Sequence, residues 1–410
     1  MIAIVGAGLA GLSCAQELQR RGREFAVFEA DDEPGGRVRS EHVDGFTLDR
    51  GFQVILSSYP AVEKAVNIPA LQPRYFEQGA LLWNSGRLTR LASPFSGPRA
   101  FLDALFCPVI PIGDKVRLAL ELSRLVLTQD ASFIAACGSA SDQSVAEWAA
   151  TRGFSGRFVS RFLQPFFGGV LIDNELTTSA GLFRYYLKKF ATGRAWIPAG
   201  GIGAFPRAMA DSLPRDSIRY GMRVRSISGS RDGTGNLTFE DGTKFSATSI
   251  VLALDEPSLA TVLGGTARPG RSVSVVYFKT RRSLYRGGFL VLPEGKNRTV
   301  RHFAQVTNVA PEFAPEGWHL ISATVLDPRA GSDIAEIATR EIAEVFPDPQ
   351  LAHLATVRVP YAIPIQPPGF AGRVQRISSP PNVLFAGDWA TGASIQSALD
   401  SGKIAAGQCD

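Results

Sequence analysis

The chain opens on an unbroken apolar run, Ile2-Ala3-Ile4-Val5, which predicts a short strand buried on both faces. A glycine-rich turn follows. Residues 9–22 then carry apolar positions at helical spacing, and 24–29 read as a second strand, the opening of a βαβ unit. From about 76 to 195 the pattern turns mostly helical. Val116, Leu120, Leu122, Leu125 and Val126 recur at helical spacing within 114–127, and 143–152 and 155–164 behave alike. A glycine cluster and a helix are expected over 199–212. Residues 217–227 read as one strand, 237–239 and 244–245 as a hairpin about Asp241-Gly242, and 249–254 as a fully buried strand. Four β-rich runs follow at 273–279, 288–292, 300–307 and 318–326. A helix over 332–345 and a strand over 353–360 complete what reads as an antiparallel sheet. Pro360, Pro364, Pro367 and Pro368 predict an irregular crossing back. Pro380 and Pro381 precede a last buried strand at 383–386, and a final helix is expected over 394–405.

At 410 residues the chain suits two or three domains rather than one core. Its 45% hydrophobic and 20% charged content is ordinary for a globular protein, so disorder is not expected. No apolar run reaches the ~18 residues needed to span a bilayer. The first residues lack the charged segment of a signal peptide, which points to the cytoplasm. Cys14, Cys107, Cys137 and Cys409 form no CxxC pair, and the four histidines show no HxxxH spacing. Neither a disulfide framework nor a metal site is expected. The net charge of +5 comes without any Lys/Arg block, so nucleic acid is not an expected partner.

The first chemical signal is Gly6-Ala7-Gly8-Leu9-Ala10-Gly11, directly after the first strand. Gly6 permits a tight turn, Gly8 lets backbone approach a pyrophosphate, and Gly11 allows helix and strand to pack closely. The following helix directs its N-terminus at the phosphate charge. Glu29 closes the second strand, 21 residues after Gly8, where a carboxylate can accept hydrogen bonds from an adenosine ribose. Strand, turn, helix, strand and acid together predict a dinucleotide site.

Beyond Glu29 the chain continues Ala30-Asp31-Asp32-Glu33-Pro34-Gly35-Gly36-Arg37. An acid, a short charged stretch and Gly-Gly-Arg resemble the flavin-containing amine oxidase superfamily, which also holds protoporphyrinogen oxidase and the phytoene desaturases. The resemblance implies a noncovalent FAD with Gly35, Gly36 and Arg37 near its phosphates. It implies that Leu48-Asp49-Arg50-Gly51-Phe52-Gln53 passes the isoalloxazine, with Arg50, Gly51 and Phe52 beside the ring. Near the C-terminus, Phe385-Ala386-Gly387-Asp388-Trp389 and the helix entered at Ser394-Ile395 resemble the family's second flavin grip. Gly387 and Asp388 would then meet the ribityl–phosphate region, and the helix N-terminus would face the N1/C2 edge of the flavin, where negative charge develops on reduction. Gly221-Met222-Arg223-Val224-Arg225 is similar to the adenine-contacting strand, which implies Val224. The glycines of Pro198-Ala199-Gly200-Gly201-Ile202-Gly203 lack a surrounding βαβ unit, so no NAD(P)H site is expected.

The implied fold is α/β: a Rossmann-type FAD-binding domain with an inserted α+β substrate domain of helices and antiparallel sheet. Residues 1–75, 195–265 and 365–410 would form the first, and 76–194 with 266–364 the second. The stretches Phe166-Phe167-Gly168-Gly169-Val170-Leu171 and Gly181-Leu182-Phe183-Arg184-Tyr185-Tyr186 look like the desaturase-like bacterial and plastid relatives. Two departures from the amine oxidases stand out. Val273 occupies the place of their lysine near flavin N5, and Thr391-Gly392-Ala393-Ser394 lacks their cage aromatic, with only an offset Trp389 nearby.

The expected function is therefore FAD-dependent dehydrogenation of an apolar small molecule by hydride transfer to flavin N5, with oxygen or a quinone-like acceptor for reoxidation. An amine oxidase with an atypical cage and a non-catalytic flavin protein are the alternatives. No catalytic side chain is identified, since the cofactor carries the difficult chemistry. Finally, the apolar, proline-interrupted stretch 101–112 and the amphipathic 114–127, with Lys115, Arg117 and Arg124, have two readings. They pack inside the substrate domain, or they rest on a membrane as a peripheral contact.

Overall fold

In a computed structural model, residues 1–84, 86–92, 97–229, 234–295, 298–326, 333–371 and 382–409 are described. The first strand, Ile2–Val5, lies at the centre of a five-stranded parallel sheet. The order across it is Ile218–Arg219, Phe25–Phe28, Ile2–Val5, Ser249–Leu252, Val383–Phe385. Because side chains alternate along a strand, Ile2 and Ile4 face one way and Ala3 and Val5 the other. The first pair packs beneath the helices Leu9–Arg20 and Ile395–Gly407. The second pair packs against an antiparallel sheet of Val224–Gly229, Gly235–Phe239 and Lys244–Ala247. Both faces are covered, which explains the continuous apolar runs.

A seven-stranded sheet forms the second layer system. Its order is Ala352–Pro364, Gly270–Thr280, His319–Val325, Val300–Gln305, Leu290–Pro293, Gly79–Asn84, Arg87–Ala92. The helix Ile334–Val345 lays Ile334, Ala338, Ile342 and Val345 on this sheet. The sheet is mixed rather than purely antiparallel, since Leu290–Pro293 and Gly79–Asn84 run parallel. Helices cluster beside it: Ile112–Leu127, Asp130–Ala136, Val145–Thr151, Gln164–Val170 and Ala180–Thr192 share an aromatic-rich core around Trp148, Phe158, Phe167 and Phe183.

Three sequence expectations need correction. The segment 217–227 is two strands in two sheets, because Gly221 turns the chain with φ 69° between Arg219 and Val224. Gly79–Asn84 and Arg87–Ala92 are paired strands of the large sheet and not part of the helical region, since the first of them takes its other partner, Leu290–Pro293, from about two hundred residues further along the chain. Pro360 and Pro364 sit inside a 13-residue strand rather than an irregular crossing. That strand is an edge strand, where a missing N–H costs no ladder bond. Pro380 and Pro381 lie outside the described residues.

Candidate active site

The turn after the first strand is shaped by close packing. Gly6 has φ 101°, and a Cβ there would lie 2.6 Å from the Ala253 carbonyl oxygen. A Cβ on Gly11 would fall 1.9 Å from the Gly6 oxygen, so helix and turn can approach only with glycine at 11. Around Gly8 no atom stands within 4 Å of a Cβ position, and this open side faces the cavity. Gly35 bridges to Gly8, its N–H donating to the Ala7 carbonyl at 2.9 Å, so Gly35 and Gly36 border the same opening. Glu29 is buried, and its two carboxylate oxygens accept the N–H groups of Ala7 at 2.6 Å and Asp31 at 3.0 Å. The acid is thereby locked against the glycine turn with lone pairs to spare. Met222 donates its N–H to the Glu29 carbonyl at 2.7 Å, which brings Val224 to the same end of the cavity.

The two ends of the chain meet at Arg37 and Asp388. Nη1 and Nη2 of Arg37 donate to Oδ2 and Oδ1 of Asp388 at 3.0 and 2.6 Å, and Nη1 also reaches the Ala362 carbonyl at 2.7 Å. Burial works against the Arg37 charge, but Asp388 beside it and Asp255 further off outweigh that and hold its pKa above the ordinary arginine value. The guanidinium also lies over the Tyr361 ring. Gly387 donates its N–H to Ser401 Oγ at 2.9 Å, fixing the strand-to-helix corner. Ser394 caps the last helix, its Oγ accepting the Ser397 N–H at 3.0 Å. Ser394 and Ile395 border the cavity at that helix's N-terminus.

Between these ends runs Arg50-Gly51-Phe52. Gln53 Nε2 donates to the carbonyls of Arg37 at 2.9 Å and Arg50 at 2.8 Å, tying this segment to the Gly-Gly-Arg loop. Asp49, just before it, is buried. Its Oδ1 accepts the Ser40 hydroxyl at 2.7 Å and the Ile202 N–H at 2.9 Å. Burial, only partly offset by these bonds, pushes its pKa up to about 6. The glycine stretch 200–203 therefore packs against Ser40 and Asp49.

Gly6, Gly8, Glu29, Gly35, Gly36, Arg37, Arg50, Gly51, Phe52, Val224, Gly387, Asp388, Ser394 and Ile395 all line one cavity of about 1600 Å³, whereas Gly11 and Asp49 do not. That exceeds the roughly 300–1,000 Å³ that holds one drug-sized ligand, leaving room for a dinucleotide and a second molecule. The glycine turn, the locked acid and the helix N-terminus fit a dinucleotide at the polar end. Beyond Phe52 the lining becomes apolar: Val116, Leu122, Phe162, Phe166, Phe190 and Val273 among others. Phe162 and Phe166 stack with centroids 5.8 Å apart. They straddle the end of a π-helical turn, Val159–Leu163, a deviation that re-aims side chains and clusters at functional sites. Among the described residues of this end, two carry charge. Glu77 pairs with Arg90, and Lys115 donates to the carbonyls of Leu105 and Cys107, both at 2.6 Å.

Val273 does line the cavity, while Trp389 does not: it is buried, with its indole N–H on the Leu254 carbonyl at 2.9 Å. Sequence reasoning missed His302 and Thr324 in the cavity wall. The signal was present in 300–305, where a histidine interrupts the buried face of a strand.

Most exposed apolar residues of 101–127 gather at the cavity mouth, Leu102 and Leu120 excepted. Leu105, Ile112, Val116, Val126 and Leu127 are exposed and also line the opening, and Phe106 beside them is 75% exposed. Leu122 and Leu125 of the same helix are buried in the core. No helix among the described residues is long and apolar enough to cross a membrane.

Over residues 9–409 the chain matches the family described as flavin containing amine oxidoreductase. It is similar to the phytoene dehydrogenase of Streptomyces griseus, 27% identical over 395 residues that cover 88% of this chain and 72% of that protein. It is also 27% identical to protoporphyrinogen oxidase 2 of Arabidopsis thaliana, over 168 residues, 41% of this chain and 32% of that protein. Among solved structures, an oxidoreductase from Methanosarcina mazei shares the fold with a TM-score of 0.75 at 17% identity, covering 98% of both chains. The chain thus belongs to the flavin containing amine oxidoreductase family and is an FAD-dependent oxidoreductase.

Proposed function

We propose that this enzyme dehydrogenates an uncharged, apolar small molecule held in the Phe162–Phe166 end of the cavity. FAD, bound noncovalently along Glu29, the two glycine turns, Arg37–Asp388 and the N-terminus of the last helix, would supply the hydride acceptor at N5. The observation that carries the reading is the scarcity of free charge at the apolar end, where Glu77 and Lys115 are already partnered. A buried ammonium or carboxylate left unpaired costs several kcal/mol. An amine would need an acid or an aromatic cage there, and the carboxylates of a porphyrinogen would need cations. Similarity to a phytoene dehydrogenase supports the same choice.

The chain's own part is to bind, orient and keep water out. Val273, where the amine oxidases carry lysine, and the aromatic wall leave the reacting carbons against apolar surface. The N-terminus of Ile395–Gly407 would stabilise the negative charge that reduction places on the flavin's N1/C2 edge. Oxygen or a quinone-like molecule would restore the oxidised cofactor. The exposed apolar rim of the mouth would rest on a membrane surface, where such a substrate is concentrated.

Incubating holoenzyme with phytoene and oxygen, or with phytoene and a soluble quinone, tests the reaction by product mass. The expected product has lost two hydrogens per turnover. Products only from amines would reverse the reading.

A further inference from the structure

Tyr186, in the helix Ala180–Thr192, lies in the wall of the large cavity. The residue is 4% exposed, and its hydroxyl has no hydrogen-bond partner among the described residues. Among those residues, it alone both lines this cavity and buries a side-chain polar atom without a hydrogen bond. Buried hydroxyls are nearly always paired because leaving one unpaired is costly, so an orphan in a cavity wall marks a place where a ligand atom completes the bond. The phenol is held well above its ordinary pKa, by burial first and then by the nearby Tyr59, Tyr185 and Asp388. It therefore keeps its proton and serves as a donor.

Its neighbours fix the part of the cavity it serves. One turn earlier in the helix, Leu182 packs on Gly392, where a Cβ would stand 3.2 Å from Leu182 Cδ1. One turn later, the Lys189 carbonyl accepts the Ser58 hydroxyl at 2.7 Å. Ser58 leads through Tyr59 into the helix Pro60–Ala65, whose Ala61 N–H donates to Gln396 Oε1 at 2.9 Å. Tyr186 is thereby set between the Gly392 turn and the first turn of Ile395–Gly407, and Tyr59, Ser394 and Ile395 line the same cavity. We propose that Tyr186 is a cofactor-binding residue whose hydroxyl donates a hydrogen bond to the C2 carbonyl oxygen of the flavin. This rests on the placement of FAD proposed above, with its N1/C2 edge at that helix N-terminus. A donor there holds oxidised FAD and holds reduced FAD more firmly, because reduction adds negative charge to that edge and hydrogen bonds to charged acceptors are the stronger ones.

The test uses holoenzyme without substrate and reads two equilibria: the Kd of FAD, from flavin released on dilution, and the midpoint potential of the bound flavin against a reference dye. Tyr186→Phe removes the hydroxyl alone. It should weaken oxidised FAD about twofold to tenfold. Reduced FAD should be weakened about tenfold more, which lowers a two-electron potential by about 30 mV. Tyr185→Phe is the control, since Tyr185 does not line the cavity and its ring meets Phe133 and Lys189 instead. It should leave both values unchanged. If Tyr186→Phe does not fold, a fluorinated tyrosine at 186, a more acidic donor in the same place, carries the test and should raise the potential. Wild-type Kd and potential in Tyr186→Phe, or an unmoved potential with the fluorinated residue, overturn the assignment. So does a weakened Kd with an unmoved potential, which would place the bond away from the N1/C2 edge. A Glu29→Ala variant that binds FAD as tightly as wild type overturns the placement of FAD and this assignment with it.

Discussion

Arg37 and Asp388, 351 positions apart in the chain, close a two-pronged ion pair that joins the first glycine loop to the last strand-to-helix corner. The Asp388 side chain is only 7% exposed, so it depends on the guanidinium for its charge balance. Arg37→Met would strand a buried carboxylate and should cost about 3 kcal/mol in denaturant unfolding. Adding Asp388→Asn should return much of that loss. A single variant as stable as wild type would show that the pair does not clamp the two ends.

Glu29 is held by two backbone N–H groups in a position to meet a ribose. Replacing it with alanine should weaken FAD binding about tenfold to a hundredfold, the worth of roughly 1.5–3 kcal/mol in hydrogen bonds to a charged acceptor. Flavin fluorescence titration of the apoprotein measures this. An unchanged Kd would remove Glu29 from the ribose contact.

Asp49 gives a pH signature. Its folded pKa, about 6, lies above that of an unfolded aspartate, so the folded chain holds this proton more tightly. The resulting stability is fully present below the unfolded pKa and is lost as pH rises from about 4 through about 6. Asp49→Asn keeps the oxygen that accepts from Ser40 and Ile202 but cannot ionise. It should match wild type near pH 4 and exceed it by up to about 3 kcal/mol at pH 8. A difference that does not change between those pH values would contradict this.

Much of the polar end was legible because its signals are local. The glycine turn and Glu29 are fixed by one βαβ unit, and the residues 35–37 follow at once. The apolar end was less so. The strand Gly79–Asn84 pairs with Leu290–Pro293, a contact that leaves no periodicity in either segment. Gly221 could be read as a strand interior until its turn separated two sheets. His302 is placed in the cavity wall by Thr324, Phe52 and Gly169, which lie on three other stretches of chain.

The rim of the mouth predicts vesicle binding. Leu105 and Phe106 are exposed apolar residues, and Arg117 and Arg124 on the next helix are exposed as well. Holoenzyme should co-sediment with anionic lipid vesicles at low salt, and Leu105→Asp with Phe106→Asp should release it. Wild type that stays in the supernatant, or a double variant that still sediments, would leave the rim without a role at membranes.

The central claim is that an uncharged apolar molecule delivers hydride to the flavin in this cavity. The most direct measurement is the visible flavin absorbance of holoenzyme under anaerobic conditions, mixed in turn with phytoene, protoporphyrinogen and putrescine. Bleaching by phytoene, with little or none by the charged donors, is the predicted result. Rapid bleaching by putrescine with phytoene inert would contradict it.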